Sequence, residues 1–292
     1  MRVPLRVLKL VVMVPVLLVS GVLGLMVLAV LPPVLGLLGF LAGGASLGVL
    51  AAGGLEGPAV RLLTRARAAT EGERAVLAPV LASVGGMGMP AVRLYVRRTP
   101  RAATPPAVVV VGKSSLVVTP WLVEATYRGW ITREEATALV LHADGRHRAG
   151  RHRLEVAVLT ATTPWRAVSA VARGVGRPFA WLPFMRFVWS LRGVVGAVAV
   201  VQSAVEGRAV SGAIAGVFVA LTYLVPAAAR AREGQLEAEA DRLVVDRGLG
   251  VDLAGLLRRS GVPVRVERLQ RLEHRPLSEP VPVLQLASFS PN

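Results

Sequence analysis

The chain has 292 residues, of which 53% are hydrophobic, and its mean hydropathy is +0.57. That composition is too apolar for an ordinary soluble domain and indicates a membrane protein. The net charge of +16 comes almost entirely from arginine. Because long apolar runs accompany it, this charge favours membrane lipids as partners. The absence of cysteine excludes disulfides, thiolate metal sites and a cysteine nucleophile.

Nucleic acid is not expected as a partner. Proteins that bind single strands interleave basic residues with aromatic ones, on which the bases stack. Only 5% of this chain is aromatic, and its basic residues show no such interleaving.

Two uncharged runs near the N-terminus predict a transmembrane hairpin. Residues 10–30 carry no charge over 21 positions, which is enough for a helix to cross a hydrocarbon core of about 30 Å. Pro32 and Pro33 end that run, and residues 34–55 form a second one, rich in small residues that let helices pack closely in lipid. A cleaved signal peptide is the alternative for the first run, but the run is long and a second span follows at once.

Basic residues flank the outer ends of this hairpin, whereas the loop between the two spans is neutral. They are Arg2, Arg6 and Lys9 before the hairpin and Arg61, Arg65 and Arg67 after it. The positive-inside rule therefore predicts a multi-pass protein of the cell membrane with both termini and the soluble part in the cytoplasm.

Residues 179–229 predict a second hairpin that returns the chain to the side it left. Residues 209–229 are a clear span. Residues 179–205 are interrupted by Arg186 and Arg192, and an arginine at the membrane centre costs about 2.5–3.5 kcal/mol even on the lenient insertion scale. This segment is either a tilted span or an interfacial helix followed by a short span.

The remaining segments predict a small α+β domain. Residues 68–85 read as an amphipathic helix. Short β-branched runs at 92–96, 107–111 and 116–119 predict a hairpin or small sheet. The tail from residue 262 alternates briefly and then becomes rich in proline. The basic run at 145–153 is typical of a cationic collar at a membrane surface, where each basic residue contributes about 1 kcal/mol.

A helix that leads to His142 is the most informative part of this domain. Thr132 is expected to cap its N-terminus, and Glu135 follows at the spacing of a capping box. Ala136, Leu139 and Val140 then supply a buried face. His142 therefore lies on a helix at the end of an apolar run.

The residues around His142 resemble an incomplete H-E-x-x-H motif, in which two histidines on one helix face bind zinc and the glutamate acts as general base. Ala143 stands at the glutamate position and Arg146 at the second histidine position. His147 is one residue late and about 140° away around the helix. By itself a helical histidine of this kind is more often a packed side chain than a metal ligand.

A second candidate lies beyond the last span. Glu237 and Asp241 are four residues apart and share one helix face. By itself this pair is typical of a solvated acidic helix.

In order and spacing, these segments resemble the HtpX and CAAX-prenyl-protease type of membrane zinc metallopeptidase. In that family a segment L-T-x-x-E-L-x-A-V-L-A-H-E-x-x-H is followed by membrane helices and then by E-x-x-A-D. Residues 131–142 match the first segment, and Glu237 with Asp241 matches the second. Residues 274–279 look like the family's late H-P-x-x-x-E segment, and His152 falls where a further histidine often follows the motif.

The resemblance implies a zincin-like domain in which His142 and Glu237 are zinc ligands and Asp241 holds His142 by a hydrogen bond. Ala143 has no carboxylate to activate water, and the guanidinium of Arg146 stays protonated and cannot bind zinc. The family's N-A-F-A edge-strand motif falls near residues 107–110, where its asparagine is missing. These three losses predict that the peptidase chemistry has decayed.

Arg146 is predicted to replace the metal. Its guanidinium would pair with Glu237, a carboxylate that would otherwise be buried without a counter-charge. In that case no cofactor is expected, whereas an active enzyme would need zinc.

The sequence therefore predicts a mainly α membrane protein with about four transmembrane helices and a small α+β zincin-like cytoplasmic domain. The expected parts are a first hairpin at 1–56, the two halves of the metallopeptidase-like domain at 57–165 and 231–292, and a second hairpin at 166–230.

Three functions fit this architecture. The first is a pseudopeptidase that acts as a binding or regulatory scaffold for membrane or unfolded proteins. The second is an active zinc metallopeptidase that uses His147 as a ligand after a local helix distortion and Asp144 as its base. The third is a membrane protein whose cationic face binds anionic lipid.

Overall fold

The computed structural model describes residues 3–52, 56–90, 92–98, 108–112, 115–150, 155–176, 183–261 and 263–273. Within these ranges the chain is mostly helical. The helices are α1 Leu5–Val30, α2 Pro33–Ala51, α3 Glu56–Thr64, α4 Glu71–Gly86, α5 Pro120–Tyr127, α6 Arg133–Gly150, α7 Glu155–Ala161, α8 Thr163–Gly176, α9 Pro183–Val205, α10 Ala209–Asp246, α11 Gly250–Arg259 and α12 Val266–Glu273. The strands are β1 Ala66–Ala68, β2 Arg93–Arg97, β3 Val109–Val111 and β4 Ser115–Val118.

The chain divides into two compact units. Unit 1 consists of Met1–Leu63 and Gly150–Leu236, and unit 2 consists of Thr64–Ala149 and Glu237–Asn292. Each unit is therefore built from two stretches of sequence that fold together.

Unit 1 contains the apolar helices. By length and composition, α1, α2 and α10 could each cross a membrane. Apolar side chains cover their outer surfaces, as expected where lipid rather than water is the neighbour. In α9 the apolar part, Gly193–Val205, is shorter than a span. The described helix begins at Pro183, and residues 179–182 of the predicted segment lie outside the described residues.

Unit 2 contains a four-stranded mixed sheet in the order β1-β2-β4-β3. β2 runs antiparallel to β1 and parallel to β4, and β3 runs antiparallel to β4. The small sheet predicted from the β-branched runs is therefore present. β1 was not predicted, because its sequence Ala-Arg-Ala carries no strand pattern, and its last residue, Ala68, was expected to begin the next helix.

That helix, α4, begins at Glu71 rather than at residue 68. Thr70 caps it: the Thr70 hydroxyl accepts a hydrogen bond from the Glu73 amide at 3.3 Å, and the Glu73 carboxylate accepts one from the Thr70 amide at 2.8 Å. Reciprocal bonds of this kind satisfy two amides that a helix start leaves without partners. They fix the first turn after Thr70, which leaves residues 66–68 free to pair with β2.

The core of unit 2 lies between the sheet and the helices that pack on it. Leu77 of α4, Leu116 of β4, Leu122 of α5, Leu141 of α6 and Leu253 of α11 are all nearly inaccessible to solvent. α6 is central to this core, since most of its residues from Glu135 to Gly145 are buried.

Candidate functional site

The start of α6 is held as the sequence predicted. The Thr132 hydroxyl accepts a hydrogen bond from the Glu135 amide at 3.2 Å, and the Glu135 carboxylate accepts one from the Thr132 amide at 3.0 Å. The other Glu135 oxygen pairs with Arg259 of α11. The capping box is confirmed, and it fixes the helical phase that carries His142 inward.

Gly145 lets α6 and α10 approach closely one turn beyond His142. A Cβ at this position would lie 2.9 Å from the Cα and 3.3 Å from the Cβ of Ala240, closer than real side chains pack. Ala240 lies between Glu237 and Asp241 in the sequence. The glycine therefore allows the backbone of α10 to bring its acidic pair against the His142 face of α6.

Arg268 of α12 binds the three residues that the resemblance assigns to the metal site. Its Nε donates to Asp241 Oδ2 at 2.8 Å and its Nη2 to Asp241 Oδ1 at 2.8 Å. Its Nη1 donates to Glu237 Oε1. Nη2 also lies 3.2 Å from His142 Nε2. Arg268, His142, Glu237 and Asp241 are called the Arg268 cluster below.

His142 and Asp241 meet directly in this cluster, as the resemblance implied. His142 Nε2 is 3.1 Å from Asp241 Oδ1. The same nitrogen faces both a carboxylate and a guanidinium, so it donates to Asp241 when protonated and accepts from Arg268 when it carries the lone pair. In either state the Nε2 atom is engaged within the cluster.

Burial and charge act on Asp241 in opposite directions. Desolvation raises the pKa of this carboxyl, but hydrogen bonds from His142 and Arg268 outweigh it, so that its pKa lies below the ordinary value. Asp241 belongs to unit 2, beyond the apolar part of α10. The Asp241 side chain is 5% exposed, and that of Glu237 is 38% exposed. Arg268 therefore pairs with one buried and one half-exposed carboxylate.

α12 places Arg268 by packing on α11. Leu272 is buried in the core of unit 2, and Leu269 packs against that core. A Cβ on Gly250, the first residue of α11, would lie 2.1 Å from the Leu272 carbonyl oxygen. Arg258 of α11 pairs with Glu273 at the end of α12. Apolar contacts, a glycine and an ion pair thus hold the helix that carries Arg268.

Arg268 was not predicted as a site residue from the sequence. The tail from residue 262 was expected to alternate briefly, whereas Val266–Glu273 is helical. A weak signal was present, because Leu269 and Leu272 are three residues apart and share a helix face. No local sequence pattern, however, connects this helix of eight residues with His142, which lies 126 positions before Arg268.

Arg146 lies in the same part of unit 2. It lines one cavity together with His142, Glu237 and Arg268. The predicted pairing of Arg146 with Glu237 stays a prediction. The guanidinium whose contacts reach Glu237, Asp241 and His142 together is that of Arg268.

The other residues of the incomplete motif have local roles. Ala143 is buried and supplies no carboxylate. Asp144 is also buried and pairs with Arg148 at 2.6 Å, one helical turn on. α6 is helical at every residue from Arg133 to Gly150. The distortion that would bring His147 round to His142 is therefore not seen in α6.

The Arg268 cluster does not suit a zinc ion in this arrangement. Zinc needs deprotonated N, S or O ligands facing one point, and here the ligand atoms of His142 and Glu237 face a guanidinium. Among the residues that the structure describes, no group of three or more His, Cys, Asp or Glu side chains is arranged to hold a metal. His152 and the segment 274–279 lie outside the described ranges.

The cavity beside the cluster has a volume of about 510 Å³. His142, Glu237 and Arg268 of the cluster contribute to its lining, which is mainly apolar. The apolar lining residues are Trp121, Trp130, Ile131, Leu139, Leu253, Leu256, Leu257, Pro263 and Val264. A space of this size and polarity is typical of sites that accept a small ligand or a few side chains.

No family model matches the chain, and neither a curated protein nor a solved structure matches it.

Proposed function

We propose that this chain is a membrane-anchored relative of the HtpX-type zinc metallopeptidases in which an internal arginine has replaced the metal, and that it acts as a binding or regulatory scaffold. The observation that carries the proposal is the position of Arg268. Its guanidinium contacts His142, Glu237 and Asp241 together. The resemblance assigns the first two to zinc binding and Asp241 to holding His142 by a hydrogen bond.

Electrostatics supports the replacement. A guanidinium supplies the positive charge that two neighbouring carboxylates need, and its planar donors give Asp241 two bonds at 2.8 Å. Zinc could enter only by displacing Arg268, which would then lose partners in a place where its side chain is 14% exposed. An arginine that is already attached to the fold competes with the free ion at no cost in translational entropy.

The missing groups support loss of catalysis. Peptide hydrolysis by this class of enzyme needs a metal to lower the pKa of water and a carboxylate to accept its proton. Ala143 stands where that carboxylate would be, and Arg146 stands where the second imidazole would be. The cavity of about 510 Å³ beside the cluster remains, and its apolar walls suit a segment of a membrane or unfolded protein.

The apolar helices support a location in a membrane, and the topology is part of the proposal. The two stretches of unit 2 fold together, so the described residues within 64–149 and 237–273 would lie on one side of any membrane. If α10 crosses the bilayer, a second crossing must lie between residues 150 and 208. α9 has 23 residues and a length of about 34 Å, enough to cross despite Arg186 and Arg192. The basic flanks of α1 and α2 favour the cytoplasm for unit 2.

Zinc content of the purified full-length chain tests the proposal. We expect no stoichiometric zinc in the wild-type protein after exposure to zinc and desalting. A double variant, Ala143→Glu with Arg146→His, rebuilds the motif but keeps Arg268, and it should also stay free of zinc. Adding Arg268→Ala to that double variant should allow zinc to bind, because His142, Glu237 and the new histidine then face an open site.

The matched pair with and without Arg268 isolates the role of the guanidinium. Near-UV circular dichroism of each variant would establish that the fold is retained. One equivalent of zinc in the wild-type protein, together with casein cleavage that is lost in His142→Ala, would reject the proposal in favour of an active peptidase. Zinc binding by the double variant that keeps Arg268 would reject the replacement of metal by Arg268.

A further inference from the structure

α8 in unit 1 has one apolar and one basic face. Val168 and Val171 lie about 60° apart on the helix, and Trp165 lies about 60° to the other side of Val168. Arg166 and Arg173 are seven residues apart and therefore within about 20° of each other. Arg166 is about 160° away from Val168. The two faces are thus nearly opposite, as in helices that lie in a membrane interface.

The apolar face of α8 is open in the folded chain. Trp165 is 38%, Val168 45% and Val171 67% exposed. A folded chain usually buries the apolar face of a helix against other parts of the fold, because exposure of apolar side chains to water is unfavourable. Their exposure indicates that something outside unit 1 covers them.

The length and neighbours of α8 indicate a membrane surface. With 14 residues, α8 is about 21 Å long and too short to cross a hydrocarbon core of about 30 Å. It packs against α1, one of the three helices apolar enough to cross a membrane. α8 therefore adjoins a surface that lipid is expected to cover.

The charge of the surrounding sequence indicates which lipid headgroups to expect. Residues 146–205 contain nine arginines and a single acidic residue, Glu155. α8 itself contains no acidic residue. A segment of this composition is attracted to the negative potential of an anionic leaflet and has nothing to repel it.

We propose that α8 lies in the headgroup region of an anionic leaflet, with Trp165, Val168 and Val171 toward the acyl chains and the face that carries Arg166 toward the lipid phosphates. Tryptophan suits this depth, because its ring is amphipathic and prefers the interface. The partner is thus a lipid surface that carries negative charge.

Single-cysteine spin labelling can test this placement, since the chain contains no cysteine of its own. Val168→Cys and Ala170→Cys are a matched pair: both positions are exposed and they lie about 160° apart on α8. In the full-length chain reconstituted into vesicles with phosphatidylglycerol, the label at residue 168 should collide several-fold more with oxygen than with a water-soluble nickel chelate. The label at residue 170 should show the reverse.

Two results would overturn the placement. Equal access of the nickel chelate to both labels would mean that α8 lies in water. Protection of the label at residue 168 from both reagents would mean that a protein surface, such as a second copy of the chain, covers the apolar face.

Lipid charge is tested with the same label. In vesicles of phosphatidylcholine alone, access of the nickel chelate to residue 168 should rise several-fold. Arg166→Gln with Arg173→Gln should give that higher access even with phosphatidylglycerol present, whereas Arg166→Lys with Arg173→Lys should not. Equal access in the two kinds of vesicle would overturn the assignment of an anionic partner.

Discussion

The proposed function depends on the four side chains of the Arg268 cluster. His142, Glu237 and Asp241 were candidates because the order of the segments resembles a peptidase family, whereas their local patterns alone indicated no site. Arg268 was not a candidate, yet it determines what the other three can do. A guanidinium satisfies the carboxylates and engages the imidazole, so that a constellation resembling a metal site becomes a buried ion-pair network.

Replacing Arg268 should strongly destabilise unit 2. Arg268→Met leaves Asp241, which is 5% exposed, without its counter-charge. Breaking such a pair from one side costs about 3 kcal/mol or more. We expect a corresponding loss in the free energy of unfolding, measured by chemical denaturation in detergent.

The control for that measurement is a double variant that removes both the arginine and its buried carboxylate. Arg268→Met with Asp241→Leu removes both charges and should recover most of the loss, because a buried ion pair and apolar residues of similar volume are often equivalent. An Arg268→Met protein as stable as the wild type would show that the network contributes nothing.

Glu73 gives a prediction about pH. Its carboxylate accepts bonds of 2.6 and 2.7 Å from Arg67. This pairing lowers the Glu73 pKa from 4.5 to about 2, against a smaller effect of burial in the other direction. Because the folded pKa is depressed, the stabilisation is complete above pH 4.5 and is lost as the pH falls from there toward 2.

Glu73→Gln should therefore cost the most near neutral pH and nothing at the acid end of this range. The Arg67 side chain is 39% exposed, so solvent screening limits the cost to about 1 kcal/mol. The difference in unfolding free energy between wild type and variant, followed from pH 7 downward, measures this. Glu71→Gln, at an exposed position in the same turn, is the control. A difference that does not change with pH would contradict the assignment.

Helix starts could be predicted from the sequence where a cap marks them, whereas strand pairing could not. The capping box of α6 was predicted from Thr132 and Glu135 and is confirmed, because a cap depends on residues three apart. The start of α4 was predicted three residues too early and the strand β1 was not predicted, because Ala-Arg-Ala acquires strand geometry only through pairing with β2. The parallel register of β2 and β4 likewise joins segments that a sequence pattern treats separately.

Gly250→Ala should loosen the helix that carries Arg268. The new Cβ would lie 2.1 Å from the Leu272 carbonyl oxygen, so α12 must move away from α11. Overpacking of this kind costs about 1–3 kcal/mol. In the Gly250→Ala background, Arg268→Met should then cost less than it does in the wild type, because the cluster is already strained. A double-mutant cycle of unfolding free energies measures that coupling.

Gly255→Ala is the matched control in the same helix. There the new Cβ meets only the end of Arg259, at 3.9 Å. Alanine in a helix interior is favoured over glycine by about 0.5–1 kcal/mol, so this variant should be neutral or slightly more stable. Additive effects of Gly250→Ala and Arg268→Met would show that α12 does not position the arginine.

The whole molecule combines apolar helices with a domain made from two separate stretches. Within the described part of the chain, three helices could cross a membrane by length and composition. Unit 2 combines residues 64–149 with the end of α10 and the residues that follow it. A chain that leaves and rejoins one compact unit crosses a bilayer an even number of times in between. α9 is accordingly expected to cross together with α10.

Labelling of single cysteines in intact cells tests this topology. Leu31→Cys, between α1 and α2, and Arg208→Cys, between α9 and α10, should react with a membrane-impermeant maleimide from outside. Glu71→Cys in unit 2 should react only after the cells are permeabilised. If Arg208→Cys also needs permeabilisation, α9 does not cross and the second hairpin is absent.

The sequence by itself determined the apolar helices and the cap of α6, because these features depend on local composition and on residues within a turn of each other. His142, Glu237 and Asp241 became candidates only through the resemblance to a family, since their local patterns alone favour a packed histidine and a solvated acidic helix. Only the tertiary structure decided which cation meets them. Arg268 follows Glu237 by 31 residues and His142 by 126, and it reaches them because α12 packs against α11 at Gly250. Charge pairing of this kind depends on the distance between the groups in the folded protein, and that distance cannot be inferred from their separation along the chain.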